Sequence, residues 1–248
     1  MMLEIKGVRN REKYRCLLCR NSYRPEELSW PGICRSCDAV EFPHDCENQC
    51  MTPGSGLRGR YTVSFELETF SHRPIHSLLR LLNFLPTRAK STGRREWKSP
   101  IYRDSQTLHR HLRHLFTLVS AREIDVTHIH IGAGEDTEDL KQYFRRIGKP
   151  LAAEVFKPDN HHEVLFREEI PEYADTFSPE DAAVFWINTL HPHTVEFRLV
   201  KFTSYRQALC VVHCCLDWVE AAQKDAPVTT LAEIFSKYVK EVTPYETA

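Results

Sequence analysis

Residues 193–199 read His-Thr-Val-Glu-Phe-Arg-Leu and alternate between polar and apolar side chains. The apolar residues fall at every second position, which is typical of a strand with one buried face, because successive side chains of a strand point to opposite faces. The other face then carries Glu196 and Arg198, a carboxylate and a guanidinium two positions apart. The stretch therefore predicts a strand that packs a core on one side and presents charge on the other.

Two further stretches alternate in the same way, residues 63–68 (VSFELE) and residues 127–131 (THIHI). Their polar faces carry two carboxylates and two imidazoles: Glu66, Glu68, His128 and His130. Each pair alone is typical of a strand that faces solvent. If the three strands share a sheet, however, all these side chains meet in one cleft, where the carboxylates repel one another unless cations are present. Carboxylates with imidazole suit divalent ions such as Mg²⁺, and arginine suits phosphate, so the set predicts a nucleotide triphosphate held by two or three magnesium ions.

The composition sets bounds on the class of protein. The chain has 248 residues, 42% of them hydrophobic, and a formal net charge of −1. This length allows one large domain, or one medium domain with a small module, and the charge balance does not demand nucleic acid or an anionic membrane as a partner. No run approaches the ~20 apolar residues of a membrane span, and the first residues lack the apolar core of a signal peptide. We expect a cytoplasmic protein with no membrane partner.

Six of the nine cysteines lie in the first 50 residues. Four of them form two CxxC pairs separated by 14 residues, which predicts a structural zinc ion bound by Cys16, Cys19, Cys34 and Cys37. Redox-active or unliganded thiols are the alternative. For Cys46 and Cys50, with His44 nearby, a second, partly filled site and two spare thiols remain equally open. The zinc-ribbon-like module is expected to span residues 1–55, and its arginines leave nucleic-acid binding open.

The rest of the chain predicts a second domain. The composition of residues 51–60 is typical of a linker, and strands are expected at residues 61–70, 125–132 and 193–202. Helices are expected at residues 74–85, 105–121, 136–147, 204–223 and 228–241, with a basic loop at residues 86–95. The three remaining cysteines, in an apolar helical run, are interpreted as buried thiols, with a nucleophilic role as the alternative: Cys210, Cys214 and Cys215. Short strands interleaved with helices predict an α+β fold with an antiparallel or mixed sheet.

Four motifs in a fixed order resemble the amidoligase family. They are Phe65-Glu66-Leu67-Glu68, Glu96-Trp97-Lys98-Ser99-Pro100, His128-Ile129-His130-Ile131-Gly132 and Thr194-Val195-Glu196-Phe197-Arg198. Members of this family are carboxylate–amine ligases related to gamma-glutamylcysteine synthetase and, more distantly, to glutamine synthetase. The resemblance covers residues 60–245. It implies a glutamine-synthetase-like bowl of antiparallel strands with flanking helices, which holds ATP and magnesium.

The resemblance also implies a role for each matching residue. The magnesium ligands would be Glu66, Glu68, Glu96 and Glu196. His130 would contact metal or nucleotide phosphate, Arg198 would hold the γ-phosphate, and His128 would orient its neighbour. Catalysis would depend on Glu196, His130 and Arg198. In the implied reaction, a substrate carboxylate attacks ATP to form an acyl phosphate, and an amine displaces phosphate to give an amide or isopeptide bond.

One departure from the family pattern bears on activity. An Asp-Gly-Ser-like turn usually precedes the glutamate of the second motif, whereas this chain has Ser91-Thr92-Gly93 and no aspartate before Glu96. The alternatives are therefore a ligase-like binding protein without turnover, a nucleic-acid- or protein-binding zinc module with an accessory domain, and a metal-dependent hydrolase that uses the histidine pair. For a ligase, a glutamate-like or peptide carboxylate and an amine are the expected substrates. The zinc module would be able to present a macromolecular substrate.

Overall fold

The chain forms two compact units, Met1–Asp45 and Cys46–Ala248. The computed structural model describes residues 14–15, 22–23, 28–30, 33–34, 49, 51–69, 79, 84–88, 95–118, 124–166, 186–200 and 202–246. In the first unit, β1 (Tyr14–Arg15) pairs with β2 (Ser22–Tyr23), and β3 (Leu28–Trp30) pairs with β4 (Ile33–Cys34), both antiparallel. Three of the predicted zinc ligands, Cys16, Cys19 and Cys37, and the side chain of the fourth, Cys34, lie outside the described residues.

The second unit contains a six-stranded open sheet. Its strands are β5 (Thr62–Thr69), β6 (Leu85–Arg88), β7 (Arg95–Lys98), β8 (Ile124–Gly132), β9 (Ile187–Asn188) and β10 (Val195–Val200). They lie in the order β6-β7-β5-β8-β10-β9, and every neighbouring pair is antiparallel. The α+β prediction with an antiparallel sheet is therefore confirmed. The three alternating stretches of the sequence form adjacent strands at its centre, β5, β8 and β10.

Four helices accompany the sheet within the described residues: α1 (Ser105–Leu118), α2 (Thr137–Val155), α3 (Tyr205–Ala222) and α4 (Val228–Glu246). Ser204 caps α3, since its side chain accepts a hydrogen bond from the backbone N–H of Gln207. The indole of Trp218 donates to the carbonyl of Leu231 at 2.8 Å, which ties α3 to α4. No helix in this part of the chain has both the length and the apolar character needed to cross a lipid bilayer.

The helices pack on one face of the sheet. Phe197 of β10 lies 5.6 Å, between ring centroids, from Phe144 of α2 and 5.9 Å from Trp218 of α3. Phe65 of β5 is in contact with Tyr102, whose hydroxyl lies 3.1 Å from Nδ1 of His111 in α1. Burial of one such apolar side chain contributes about 1.5–3 kcal/mol. Because this face is covered by helices, the alternate residues of each strand point away from the apolar core.

Two elements differ from the sequence prediction. Helix α2 continues to Val155 instead of ending near Ile147, and it contains Pro150. The lost hydrogen bond at the proline is offset by apolar contact, because Leu151 and Val155 are fully buried beyond it.

Strand β6 occupies Leu85–Arg88, where the end of a helix and a loop were expected. It lies at the edge of the sheet, where a proline is tolerated. Most of the predicted helix at residues 74–85 lies outside the described residues.

The segment at residues 51–60 is not a linker. The backbone N–H of Thr52 donates to the carbonyl of Ile101 at 2.9 Å, and its hydroxyl accepts from the N–H of Arg103 at 2.8 Å. Leu57 is buried in the core, and its N–H donates to the carbonyl of Tyr61 at 2.7 Å. Gly54, Gly56 and Gly59 adopt positive φ in this segment, which is an integral part of the second unit.

Candidate functional site

Strand register brings the polar residues of the three central strands onto one face, called here the polar face. Glu66 of β5 lies opposite His128 of β8, and Glu196 of β10 lies opposite His130. Directly opposite residues of an antiparallel pair share a face, with Cβ atoms about 4.5–5.5 Å apart. The clustering expected from the alternating stretches is therefore present. The last residue of the His-x-His-x-Gly stretch is Gly132, where a Cβ atom would lie 2.6 Å from the Thr62 hydroxyl, so glycine fits there without displacing Thr62.

The centre of the polar face is formed by Glu66, His128 and Glu196, called here the central triad. One ligand atom from each of these residues lies within 4.8 Å of the other two. Nδ1 of His128 lies 3.4 Å from Oε2 of Glu66 and 3.1 Å from Oε1 of Glu196. Two carboxylates and an imidazole at this separation form a donor set that suits a divalent cation.

The pKa values of the triad reflect this proximity. Burial by itself lowers the pKa of His128, but hydrogen bonds to Glu196 and Glu66 outweigh it and raise the pKa to about 9. Burial by itself raises the pKa of Glu196, but the hydrogen bond from His128 and the charges of His130 and Arg198 lower it to about 2. The pKa of Glu66 is also held well below its usual range, because contacts with both histidines and Lys98 outweigh burial. A proton on His128 thus supplies positive charge that a metal ion is able to replace.

His130 points its ring into the same cluster. The residue is only 5% exposed, and its Nε2 atom, 3.4 Å from Oε1 of Glu66, makes no hydrogen bond of acceptable geometry within the described part of the chain. Its Nδ1 atom lies 3.2 Å from the hydroxyl of Thr194, which lies 3.1 Å from Nδ1 of His191. A buried nitrogen without a hydrogen bond is costly unless it binds a ligand, so the residues present fit a metal ion or a phosphate oxygen.

Glu196 is held from two further sides. Asn188 of β9 donates from Nδ2 to Oε2 of Glu196 at 2.6 Å, and Arg198 donates from Nε to Oε1 at 2.9 Å. The Glu196 side chain is 3% exposed, whereas that of Arg198 is 37% exposed. Arg198 therefore links the buried carboxylate to the solvent-facing margin of the cluster, where an incoming anion is able to reach it.

Lys98 lies between two of the predicted magnesium ligands. Its Nζ atom is 2.9 Å from Oε1 of Glu66 and 3.9 Å from Oε1 of Glu96. Glu96 in turn lies opposite Glu68 across the β5–β7 pair. All four predicted carboxylates thus share the polar face, but the structure divides them into Glu196 with Glu66 on one side and Glu96 with Glu68 on the other.

The structure places the predicted residues on one face, but the positions of the two histidines differ from the roles that the resemblance implied. The resemblance assigned metal or phosphate contact to His130 and an orienting role to His128, whereas the geometry places Nδ1 of His128 between both triad carboxylates. Sequence reasoning missed Lys98. Because Lys98 follows Glu96 by two residues, a strand there would place both side chains on the same face, and this spacing was a usable signal. Sequence reasoning also missed Asn188, which lies on a strand of two residues that carries no pattern.

A hydrogen bond between α2 and the loop before β10 helps to position His130. Lys141 of α2 is 5% exposed, and its Nζ atom donates to the carbonyl of Pro192 at 2.9 Å. This bond fixes the loop that carries His191 and leads into Thr194. The position of the His130 ring therefore depends on a helix packed on the far side of the sheet.

Comparison of the chain with protein-family models, with curated proteins and with solved structures gives no match. The candidate site is thus defined by its own geometry: three adjacent strands, a carboxylate–imidazole triad and a flanking arginine.

Proposed function

We propose that this protein is an ATP- and Mg²⁺-dependent carboxylate–amine ligase of the amidoligase kind. The observation that carries the proposal is the central triad, in which ligand atoms of Glu66, His128 and Glu196 lie within 4.8 Å of one another. An open antiparallel sheet with helices on its apolar face supports a glutamine-synthetase-like bowl. The order of the four sequence motifs supports the same family.

The triad residues would hold a divalent cation. Such an ion neutralises phosphate oxygens and orients an in-line attack on the γ-phosphate. Glu196 is positioned for this role by Asn188 and Arg198, and its lowered pKa keeps it ionised at neutral pH. His130 contributes a buried nitrogen directed at the same place. Glu68 and Glu96 lie farther along the polar face, where the ammonium group of Lys98 is 3.9 Å from Oε1 of Glu96.

Arg198 would bind the transferring phosphoryl group. Its guanidinium is anchored through Nε to Glu196, and a guanidinium matches phosphate oxygens with two parallel hydrogen bonds. The substrate carboxylate oxygen attacks the γ-phosphorus and ADP leaves, which gives an acyl phosphate. An amine nitrogen then attacks the acyl carbon and inorganic phosphate leaves, so that an amide forms. Exclusion of water by the buried walls of the cluster protects the acyl phosphate from hydrolysis.

The N-terminal unit is proposed to be a zinc-ribbon-like module. Two short antiparallel hairpins support this proposal, because the first CxxC pair falls in the connection between β1 and β2 and the second begins at the last residue of β4. A module of this size has too small a core to fold without a staple such as zinc. We propose that it presents a peptide or other macromolecular carboxylate, or the amine, to the ligase domain.

The experiment that tests the ligase is calorimetric titration of ATP with Mg²⁺ into the wild-type protein and into Glu196→Gln. Glutamine keeps the size of the side chain but removes its charge. Magnesium-dependent ATP binding should be present in the wild type and lost in the variant. Glu163→Gln, at a partly exposed carboxylate in contact with His161, is the matched control and should bind ATP normally. Absence of ATP binding by the wild type would refute the proposal.

A second candidate is a ligase-like binding protein without turnover. The observation that favours it is Lys98, whose ammonium group engages Oε1 of Glu66 at 2.9 Å and so satisfies an oxygen that a metal would otherwise use. Magnesium-dependent ATP binding without release of ADP or phosphate, across a screen of carboxylates and amines, would distinguish this candidate from the ligase.

A further inference from the structure

Lys98 has an unusual place for a lysine. On β5 and β7 the polar face presents four charged residues in a two-by-two pattern, with Glu66 opposite Lys98 and Glu68 opposite Glu96. The ammonium group of Lys98 thus lies between two carboxylates, those of Glu66 and Glu96, and the third carboxylate, Glu68, is on the same face. The side chains of Lys98, Glu66 and Glu96 are only 15%, 14% and 15% exposed, so water screens these charges incompletely.

Without Lys98, this part of the polar face would carry three negative charges and no positive one, which favours binding of a second divalent cation beside the central triad. Directly opposite residues lie about 5 Å apart between Cβ atoms and diagonal neighbours about 7–8 Å, a separation that a shared cation bridges. Lys98 provides that positive charge from within the chain, since its Nζ atom contacts Glu66 at 2.9 Å and Glu96 at 3.9 Å. Oε1 of Glu66 is thereby engaged, while Oε2 faces His128 and the triad.

We infer that Lys98 is a built-in counter-ion that occupies the place of a second divalent cation, so that the polar face binds a single divalent ion at the central triad. Lys98 thereby sets both the number of ions and the way in which Glu66 binds, through Oε2 alone. The inference rests on the proposed function only in taking the bound ion to be divalent. It differs from the sequence-based expectation of two or three ions, which did not take Lys98 into account.

The inference is tested by counting bound Mn²⁺ ions per chain by electron paramagnetic resonance on the full-length, zinc-loaded protein without nucleotide. The wild type should bind one Mn²⁺, and Glu196→Gln should abolish that binding. Lys98→Met should bind two Mn²⁺, and removal of the positive charge should tighten the first at least about tenfold. Lys157→Met, which removes an exposed lysine paired with Glu154 on α2, should match the wild type.

A charge-conserving variant keeps the test valid if Lys98→Met fails to fold. Lys98→Arg retains the positive charge and should still bind one ion. If the methionine variant folds only in the presence of Mn²⁺, and then carries two ions, the inference is supported as well. A count of two in the wild type or in Lys98→Arg would overturn it. So would a count of one with unchanged affinity in a folded Lys98→Met, because the lysine would then be structural only.

The count does not depend on ligase chemistry. A wild-type chain that binds one Mn²⁺ but no ATP would refute the proposed function and leave the role of Lys98 standing. A wild-type chain that binds ATP with two ions at the polar face would refute the role of Lys98 and leave the ligase standing. A wild type that binds no Mn²⁺ would overturn the inference, since the central triad would then not be a metal site.

Discussion

Nε of Arg198 lies 2.9 Å from Oε1 of Glu196, so that an arginine side chain that is 37% exposed is anchored to a glutamate side chain that is 3% exposed. The anchor removes side-chain freedom from the arginine and fixes the direction of its outer nitrogens. In the proposed function, these two residues of β10 would act on one ligand, with Glu196 binding metal and Arg198 binding phosphate.

The first prediction concerns this pair. Arg198→Ala should lower ATP turnover by about 10²–10³-fold, because a donor aimed at the transferred phosphoryl group is lost. The free energy of unfolding should change by no more than about 1 kcal/mol, since the guanidinium is partly exposed. Turnover and urea denaturation of Arg198→Ala and Arg198→Lys test both parts. Loss of far-ultraviolet circular dichroism in the alanine variant would show that Arg198 is structural.

The second prediction concerns Asn188, which donates to Oε2 of Glu196 at 2.6 Å. Asn188→Ala should weaken divalent-ion binding about tenfold, because groups that orient a metal ligand contribute about that much to affinity. Asn188→Asp should change affinity differently from alanine, since a new carboxylate either joins the ligands or repels Glu196. Isothermal titration calorimetry with Mn²⁺ measures the dissociation constant of the wild type and of both variants. Unchanged affinity in both variants would exclude an orienting role.

The third prediction is stabilisation of the fold by metal. Mg²⁺ or Mn²⁺ at about 100 times its dissociation constant should add about 2.7 kcal/mol to the free energy of unfolding. For a unit of this size, that corresponds to a rise in Tm of roughly 5–10 °C. The rise should be absent in Glu66→Gln and Glu196→Gln, each read by differential scanning fluorimetry. An equal rise in the wild type and in both variants would place the responsive metal elsewhere.

The fourth prediction concerns Cys214 and Cys215 of α3, which are fully buried free thiols. Burial raises their pKa well above the usual thiol value, so little thiolate forms at neutral pH. Neither cysteine should react with iodoacetamide in the native protein, and both should react in urea, as read by peptide mass spectrometry. The double variant Cys214→Ala/Cys215→Ala should retain turnover. A large loss of activity in a stable double variant would support the nucleophile that the sequence left as an alternative.

The central strands were predictable because each combines alternation with a strongly apolar face. In β8, for example, Ile129 and Ile131 are fully buried while the two histidines lie on the opposite face. Alternation does not state which strands are neighbours, so the meeting of Glu66 with His128 needed the structure. The resemblance supplied the order of the motifs and Glu96, which has no alternating pattern around it strong enough to predict a strand.

The missed residues share a physical cause. Asn188 belongs to a strand of two residues whose existence depends on pairing with β10, a long-range contact that leaves no local pattern. Lys98 was visible in the sequence, but a lysine on a strand is usually a solvated residue, and only the register with Glu66 shows otherwise.

The end of α2 was missed because Pro150 is a strong local stop signal that burial of Leu151 and Val155 overrides.

The separation of faces in β5, β8 and β10 has a consequence for how this chain is able to evolve. Phe65 and other odd-numbered positions of β5 pack in the core, while Glu66 and other even-numbered positions lie on the polar face and would, in the proposed function, determine what the protein binds. Point substitutions at the second set are therefore able to explore new ligands on an unchanged scaffold. Insertion or deletion of one residue in such a strand exchanges the two sets, so selection should tolerate changes of identity there far more readily than changes of length.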